Sequence, residues 1–461
     1  MTEALPVLFY GALILGVLVL VHELGHFLVA KWLGVRVISF SIGMGPRLFG
    51  FTKGGTDYRI SALPLGGFVR MAGDSPEADE RTGSPDEFLS KPWWARALIT
   101  AAGPGANLVF ALLVNMAIFL VGVEGRDYST RVSRVKAGSV AESIGLQARD
   151  HIVAYGGHPA RTVSELSDAI ENAGTDKSKS GQALPLTVDR NGETKTLALR
   201  PKDIDGFAGG LDWDMGTQVG QVLIGYPAYE SGLREGDEIL KIDGQRVLLW
   251  TDLSTILRSK PSAARTLLVK RGDQTFEVHL KTSPEGTIGI SPPETMTYKQ
   301  TFPPMKAITL GVQQTFWVTG QIYSGLWGFV TDPVRLHTTV AGPIAIAQVA
   351  RQQAKGGLQQ LVTFASFISL ALMAMNLLPI PILDGGHILF AFIEAARRRP
   401  LSLKTQLFFQ RIGLFVLMGL VVFAFYNDLS RVGQRRRAEA DIDRRLQTTS
   451  PSDTAAATHE P

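Results

Sequence analysis

Four stretches of this chain are so long and so apolar that a bilayer is their natural solvent. Leu5 to Val21 is almost unbroken apolar sequence, Ala97 to Val123 and Leu361 to Leu383 carry no charge, and Leu407 to Tyr426 carries one, Arg411. Each is about the length that crosses roughly 30 Å of hydrocarbon, and Arg411 stands near enough to the start of its stretch to snorkel to the interface. Composition agrees: 45 % of the 461 residues are hydrophobic and 19 % charged, against a usual charged share of about 25 %, and the mean hydropathy is +0.12. The first stretch lacks a basic leading region and a small-residue cleavage site, so it reads as a span and not a signal peptide. There is no cysteine, which excludes a disulfide scaffold, thiolate-bound zinc and a cysteine nucleophile. A net charge of +4 is too small to argue for nucleic acid, and none is expected as a partner.

Lys and Arg set the orientation. None precedes the first span, nine lie between the first two spans from Lys31 to Arg96, and Arg397, Arg398, Arg399 and Lys404 lie between the last two. Both loops are therefore expected to be cytoplasmic, with the N-terminus and the long segment after span two outside. The tail objects, because Arg431, Arg435, Arg436 and Arg437 follow span four, where four spans put them outside. Ala307 to Thr331 is also free of charge, but Thr309, Gln313, Gln314, Thr315, Thr319 and Gln321 make it polar for a lipid-facing helix. It reads as an amphipathic helix at the outer interface.

Residues 125–300 are ordinary soluble sequence with an internal repeat. Ala141-Glu142-Ser143-Ile144-Gly145-Leu146, then Asp150 and Ile152, reappears 87 residues on as Ala228-Tyr229-Glu230-Ser231-Gly232-Leu233, then Asp237 and Ile239. Each copy continues into a helical stretch, Val163 to Ala173 and Trp250 to Ser259. Each ends in strand–turn–strand, through Asn191-Gly192 in the first copy and Gly272-Asp273 in the second. The pattern resembles two tandem PDZ domains, which add an extended peptide to a sheet edge beside a helix.

His22-Glu23-Leu24-Gly25-His26 closes the first span. On a helix, positions i and i+4 share a face, so both imidazoles can reach one ion, and Glu23 beside them can contact a water there. A charged residue at membrane depth usually has a partner and a task. A catalytic zinc takes three protein ligands and keeps one position open. Without cysteine, the third ligand is His, Asp or Glu. Asp384 stands out, because it follows Asn376-Leu377-Leu378-Pro379-Ile380-Pro381-Ile382-Leu383 and precedes Gly385-Gly386. Two prolines must break a helix there, and freed backbone is tolerated at membrane depth only where protein or a polar cavity meets it. If 307–331 does not cross, span three runs inward and brings Asp384 to the leaflet of His22 and His26.

HExxH in the first span, Asn-x-x-Pro-x-Pro-x-x-Asp-Gly in the third and a PDZ pair between them resemble the bacterial site-2 proteases, in the type that cleaves the anti-sigma factor of the envelope stress response. The likeness covers the chain to about residue 430. It implies one zinc per chain on His22, His26 and Asp384, with Glu23 as the base of a zinc metalloendopeptidase. The implied fold is a multi-pass α-helical membrane protein with four transmembrane helices and an inserted pair of extracytoplasmic α+β PDZ domains. Its expected parts are 1–124 (two spans, HExxH and a cytoplasmic-side β-loop), 125–204 and 205–295 (the PDZ domains), 296–356 (the interfacial segment), 357–430 (the last spans with Asp-Gly) and 431–461 (a polar tail, disordered at its end). Residues 57–71 resemble the family's membrane-reentrant β-loop, whose edge at Leu63, Gly66 and Gly67 could present an unwound substrate.

The implied activity is regulated intramembrane proteolysis of single-span membrane proteins after a first cut by another protease, with remnant signal peptides as further candidates. The setting is the bacterial inner membrane, in contact with lipid, with the PDZ pair on the periplasmic side receiving peptide or protein segments and the active site near the cytoplasmic side. Asn376 could hold extended substrate backbone or polarise its carbonyl, and Asn107, early in span two, reads as a packing amide. The rival reading is a PDZ-based membrane scaffold without activity, which has no use for Glu23.

Overall fold

The computed structural model describes residues 4–74, 82–175, 182–200, 203–293, 296–331, 342–399 and 401–448. The chain forms two compact units, one of residues 1–123 with 301–429, the other of 124–300 with 430–461.

The first unit begins with α1 (Ala4–Trp32), whose end is set by Gly34 at φ +68°, where the Val35 N–H returns to the Ala30 carbonyl, as in glycine-terminated helices. The chain then enters the long strands β1 (Val37–Lys53) and β2 (Thr56–Met71). Ser39 to Ile42 pair on both sides, with 67–70 along one edge and 57–60 along the other, so the hairpin folds over into a small sheet with residues 67–71 on its rim. Phe27 of α1 packs on Phe40 and Tyr58 of that sheet at 5.2 and 5.8 Å between ring centres.

Next come α2 (Trp93–Val121) and, after the insertion, α3 (Pro304–Thr331), α4 (Pro343–Lys355), α5 (Leu358–Asn376), α6 (Asp384–Arg397) and α7 (Leu403–Thr448). Among the described residues, α1, α2, α5 and α7 are long and apolar enough to cross a membrane. Their inward faces use small and polar residues: Ala111, Leu370, Met373 and Ala374 form one buried cluster, and Ser366 Oγ donates to Asn115 Oδ1 at 3.0 Å. Helices in lipid gain nothing from burying Leu against Leu, so close packing and hydrogen bonds hold them. The polar segment α3, expected at the outer interface, packs lengthwise on α2 and α5. Asn115 Nδ2 donates to Thr315 Oγ1 at 2.9 Å, and Val318, Ile322 and Leu326, four residues apart, lie on the buried cluster. The N-terminus of α4 is held by Asp428 of α7, whose carboxylate accepts the N–H groups of Gly342, Ile344 and Ala345 at 3.0, 2.9 and 3.1 Å.

In the second unit the repeat is a repeat of structure. One four-stranded antiparallel sheet runs His158–Pro159, His151–Tyr155, Leu184–Arg190, Glu193–Leu199, and the other Gln245–Arg246, Glu238–Ile242, Ala264–Arg271, Gln274–Lys281, in the same spatial order. Each covers its own apolar core with one helix, Val163–Thr175 or Trp250–Ser259. Each also buries one aspartate under a bidentate arginine, Asp150 with Arg190 at 2.7 Å and Asp237 with Arg271 at 2.6 and 2.8 Å. The same arginine reaches the carbonyl of Gly145 or Gly232, so the repeated Asp and Gly are partners in one network. The strands that open and close the insertion, Val123–Asp127 and Met296–Gln300, pair with each other.

The tail is ordered further than its composition suggests. α7 runs unbroken from Leu403 to Thr448, and its part after 430 docks on the second module. Ile442 is buried in that module's core, Arg435 stacks on Tyr229 at 4.2 Å, Arg431 meets Glu230 at 3.8 Å and Arg234 meets Glu439 at 3.4 Å. The basic residues that objected to the charge rule include two, Arg431 and Arg435, that serve this docking. Residues 449–461, the end expected to be disordered, lie outside the described residues.

Candidate metal centre

α1 places His22 and His26 one turn apart with their Nε2 atoms 3.1 Å from each other. Asp384 is the first residue of α6, and its two oxygens stand 3.2 Å from His22 Nε2 and 3.6 Å from His26 Nε2. Zn–N and Zn–O bonds of about 2.0–2.2 Å at tetrahedral angles put ligand atoms roughly 3.3 Å apart. Two imidazoles and one carboxylate at these separations suit zinc. Asp384 Oδ2 is buried with no hydrogen-bond partner among the described residues, an atom that asks for a cation. Among the described residues this is the one group of three metal-binding side chains found together.

The backbone around Asp384 explains its place. Pro379 and Pro381 stop α5 from continuing, and tight turns take over the freed groups, with Ile380 N–H on the Leu378 carbonyl at 2.7 Å and Leu383 N–H on that of Ile380 at 2.8 Å. A Cβ on Gly385 would stand 2.3 Å from the Leu378 carbonyl oxygen, and one on Gly386 2.3 Å from that of Ile380. The two glycines therefore let α6 begin against the broken segment, and an aspartate in a first helical turn is favoured by the helix dipole. At the other end of α6, buried Glu394 pairs with Arg96 of α2 at 2.5 Å and accepts from the Leu401 N–H at 3.0 Å and Gln406 Nε2 at 3.2 Å.

α2 backs the imidazoles. A Cβ on Gly25 would stand 2.2 Å from the Ala102 carbonyl oxygen. His26 Nδ1 donates to the Ile99 carbonyl at 2.8 Å, and the Asn107 side chain approaches His22 Nδ1 at 3.3 Å. Glu23 sits on the adjoining face of α1, and the backbone N–H of Val69, on the rim of the β-sheet, hydrogen-bonds its carboxylate. A Cβ on Gly67 would reach Glu23 Cγ at 3.5 Å.

The structure thus brings His22, Glu23, His26, Asp384 and Gly67 together. Gly66, at φ +82°, lies in β2 beside Met44, and Leu63 is exposed on the same strand. Asn376 is the half-buried last residue of α5, and among the described residues no hydrogen bond ties it to the cluster. Asn107, read from sequence as packing, is a neighbour of His22. An amide in an apolar span was the signal available, and only its spacing from the HExxH helix was missing. Val69 and Ile99 act through backbone atoms and leave no mark in a sequence.

A family model described as peptidase family M50 matches residues 10–420. The chain is 32 % identical over 441 residues to the regulator of sigma-E protease RseP of Escherichia coli (strain K12), covering 91 % of this chain and 97 % of that one. It is 32 % identical over 440 residues to the protein of the same name in Salmonella typhimurium (strain 14028s), with the same coverage, and 32 % identical over 441 residues to the protease RseP of Yersinia pestis, again at 91 % and 97 %.

Proposed function

The chain belongs to peptidase family M50 and is a zinc metalloprotease, and from that premise we propose that it cuts single-span membrane proteins within the bilayer, using the centre built by His22, Glu23, His26 and Asp384. The observation that carries this reading is the position of the cluster. Both histidines lie on a helix apolar enough to span, and the aspartate begins a helix that follows another such helix.

His22, His26 and Asp384 hold the ion. Zinc supplies Lewis acidity, polarising a carbonyl and making water acidic near neutral pH. Glu23, fixed by the Val69 N–H, takes the proton of the water that attacks the scissile carbonyl and returns it to the leaving amine. Among the described residues the strand 67–71 pairs with 37–42 alone, and its outer edge is where an unwound substrate would add as a further strand, with Gly67 leaving room beside Glu23 and Leu63 and Gly66 shaping the approach. Asn376 is assigned the substrate backbone where α5 ends.

The two modules read as PDZ domains on the periplasmic face of the inner membrane, with the four long apolar helices as spans and the centre near the cytoplasmic side. Relatives are named regulators of sigma-E, and the substrate proposed with that is an anti-sigma factor, after a first cut by another protease, with the modules receiving peptide segments and excluding bulky outer domains. The test is cleavage of a single-span model substrate by the purified zinc-loaded chain in detergent, products being identified by mass spectrometry, beside Glu23→Gln. Cleavage within the apolar segment, lost in the variant, supports the reading. Equal cleavage by both removes Glu23 from its role.

A further inference from the structure

The two histidines face the centre through the same nitrogen. His22 Nε2 and His26 Nε2 are the atoms nearest Asp384, at 3.2 and 3.6 Å. An imidazole that binds a metal through Nε2 must carry its proton on Nδ1, and such protons are normally donated to a carbonyl or carboxylate that fixes the ring. His26 obeys this, with Nδ1 on the Ile99 carbonyl at 2.8 Å. For His22 the partner of Nδ1 is the side-chain amide of Asn107, with Nδ2 at 3.3 Å. That nitrogen is a donor. Facing it, Nδ1 would have to be the bare nitrogen and Nε2 would hold the proton where the metal belongs. The amide's other end is also at odds with its surroundings, because Asn107 is fully buried and its Oδ1 has no hydrogen-bond partner among the described residues.

The conflict at Nδ1 ends if the amide turns over by 180°. Its oxygen and nitrogen are nearly equal in shape, no donor holds the oxygen where it stands, and turned over it accepts the Nδ1 proton of His22. We propose that Asn107 is a positioning residue whose side-chain carbonyl fixes the ring and tautomer of His22 so that Nε2 is presented to zinc. Its backbone is held for the task, since the Asn107 carbonyl accepts from the buried Ser369 Oγ of α5 at 2.9 Å. One residue of α2 therefore links the helix of the two histidines to the helix that leads to Asp384. The inference rests on His22 being a zinc ligand.

The test compares Asn107→Leu and Asn107→Asp in the full chain, purified in detergent, stripped of metal and titrated with zinc against a chromophoric chelator, with the visible spectrum of the cobalt-loaded forms as a second readout. Leu keeps the volume and removes the acceptor, and Asp keeps the acceptor. Loss of such a partner costs about 10- to 100-fold in metal affinity, so Asn107→Leu is expected to weaken zinc by that factor and to alter the cobalt bands, while Asn107→Asp keeps both near the parent. A packing role predicts the reverse order, because Leu suits an apolar site and a buried carboxylate does not. Parent-like zinc affinity in Asn107→Leu overturns the proposal. If that variant does not purify as a monodisperse protein, Asn107→Asp decides, with retained affinity supporting the proposal and a tenfold loss overturning it. A parent chain that binds no zinc would instead sink the assignment of the ligands themselves.

Discussion

Gly103 stands against the Nε2 edge of His26: a Cβ built on it would lie 2.3 Å from His26 Nε2 and 2.8 Å from His22 Cε1. The reciprocal contact is Gly25 against the Ala102 carbonyl, so α1 and α2 meet backbone to backbone at the level of the centre. Small residues allow helices in lipid to approach this closely. Here the closeness puts the Gly103 backbone against the Nε2–Cε1 edge of His26 and the Cε1 of His22, where a side chain would take the space beside the ligand atoms.

Gly103→Ala is therefore expected to displace both rings and weaken zinc by at least about tenfold, read as metal retained after dialysis against a chelator. Gly105, two residues on, has nothing within 4 Å of its Cβ position. Gly105→Ala should keep zinc in full and raise helix stability by up to about 1 kcal/mol. Equal zinc content in the two variants would contradict the account of Gly103.

The buried pair of Arg96 and Glu394 fastens α6 to α2, with the start of α7 on the same carboxylate. Removing one partner of a buried pair strands the other charge and costs about 3–5 kcal/mol. Glu394→Ala should lower the thermal midpoint of the metal-free chain. Adding Arg96→Met to it should recover part of the loss, because no buried charge is then left alone. A double variant no better than Glu394→Ala would show that the pair is not the source of the effect.

Ile442 anchors the tail helix in the core of the second module. Ile442→Ala deletes buried methylenes at a cost of about 2 kcal/mol or more, which opens the docked helix roughly thirtyfold more often. Trypsin should then cut at Arg435, Arg436 or Arg437 correspondingly faster, since proteolysis follows the population of the open form. Unchanged cleavage would mean the tail is held by its ion pairs alone.

His151, on the second strand of the first module's sheet, is held below the usual histidine pKa by burial and then by the Arg131 guanidinium, against the pull of Asp189. The folded chain thus binds this proton less readily than the unfolded one. Its contribution to stability is present in full above about pH 6.5 and falls as pH drops from there toward the lower folded value. Thermal midpoints of the full chain should fall on acidification through this window by more than those of His151→Gln. Parallel curves would remove His151 as the cause.

The three candidate ligands that stand together are marked by local pattern in the chain. HExxH is legible because i and i+4 share a helix face whatever the rest of the chain does, and Asp384 because two prolines and a charge in apolar sequence need a reason. The 87-residue repeat recurs as two sheets of the same strand order, and the Trp250–Ser259 helix has the bounds its sequence suggests. These features depend on neighbours within a turn or two. The remainder belongs to contacts between residues far apart in sequence. Nothing within reach of Asn107 in the chain says that His22 lies beside it, and no composition rule says that Val69 offers its N–H to Glu23. The polarity of α3 reads as an amphipathic helix, and its partners lie elsewhere in the chain: Asn115 of α2 bonds Thr315, and Val318, Ile322 and Leu326 lie on the buried cluster of α2 and α5. The arginines after span four read as a topological fault until Glu230 and Tyr229 were found to meet two of them. Local periodicity and covalent geometry are written in the sequence. Which distant polar groups end as partners was settled by the close packing of helices, because that packing alone decides which buried donors and acceptors come within 3 Å of one another.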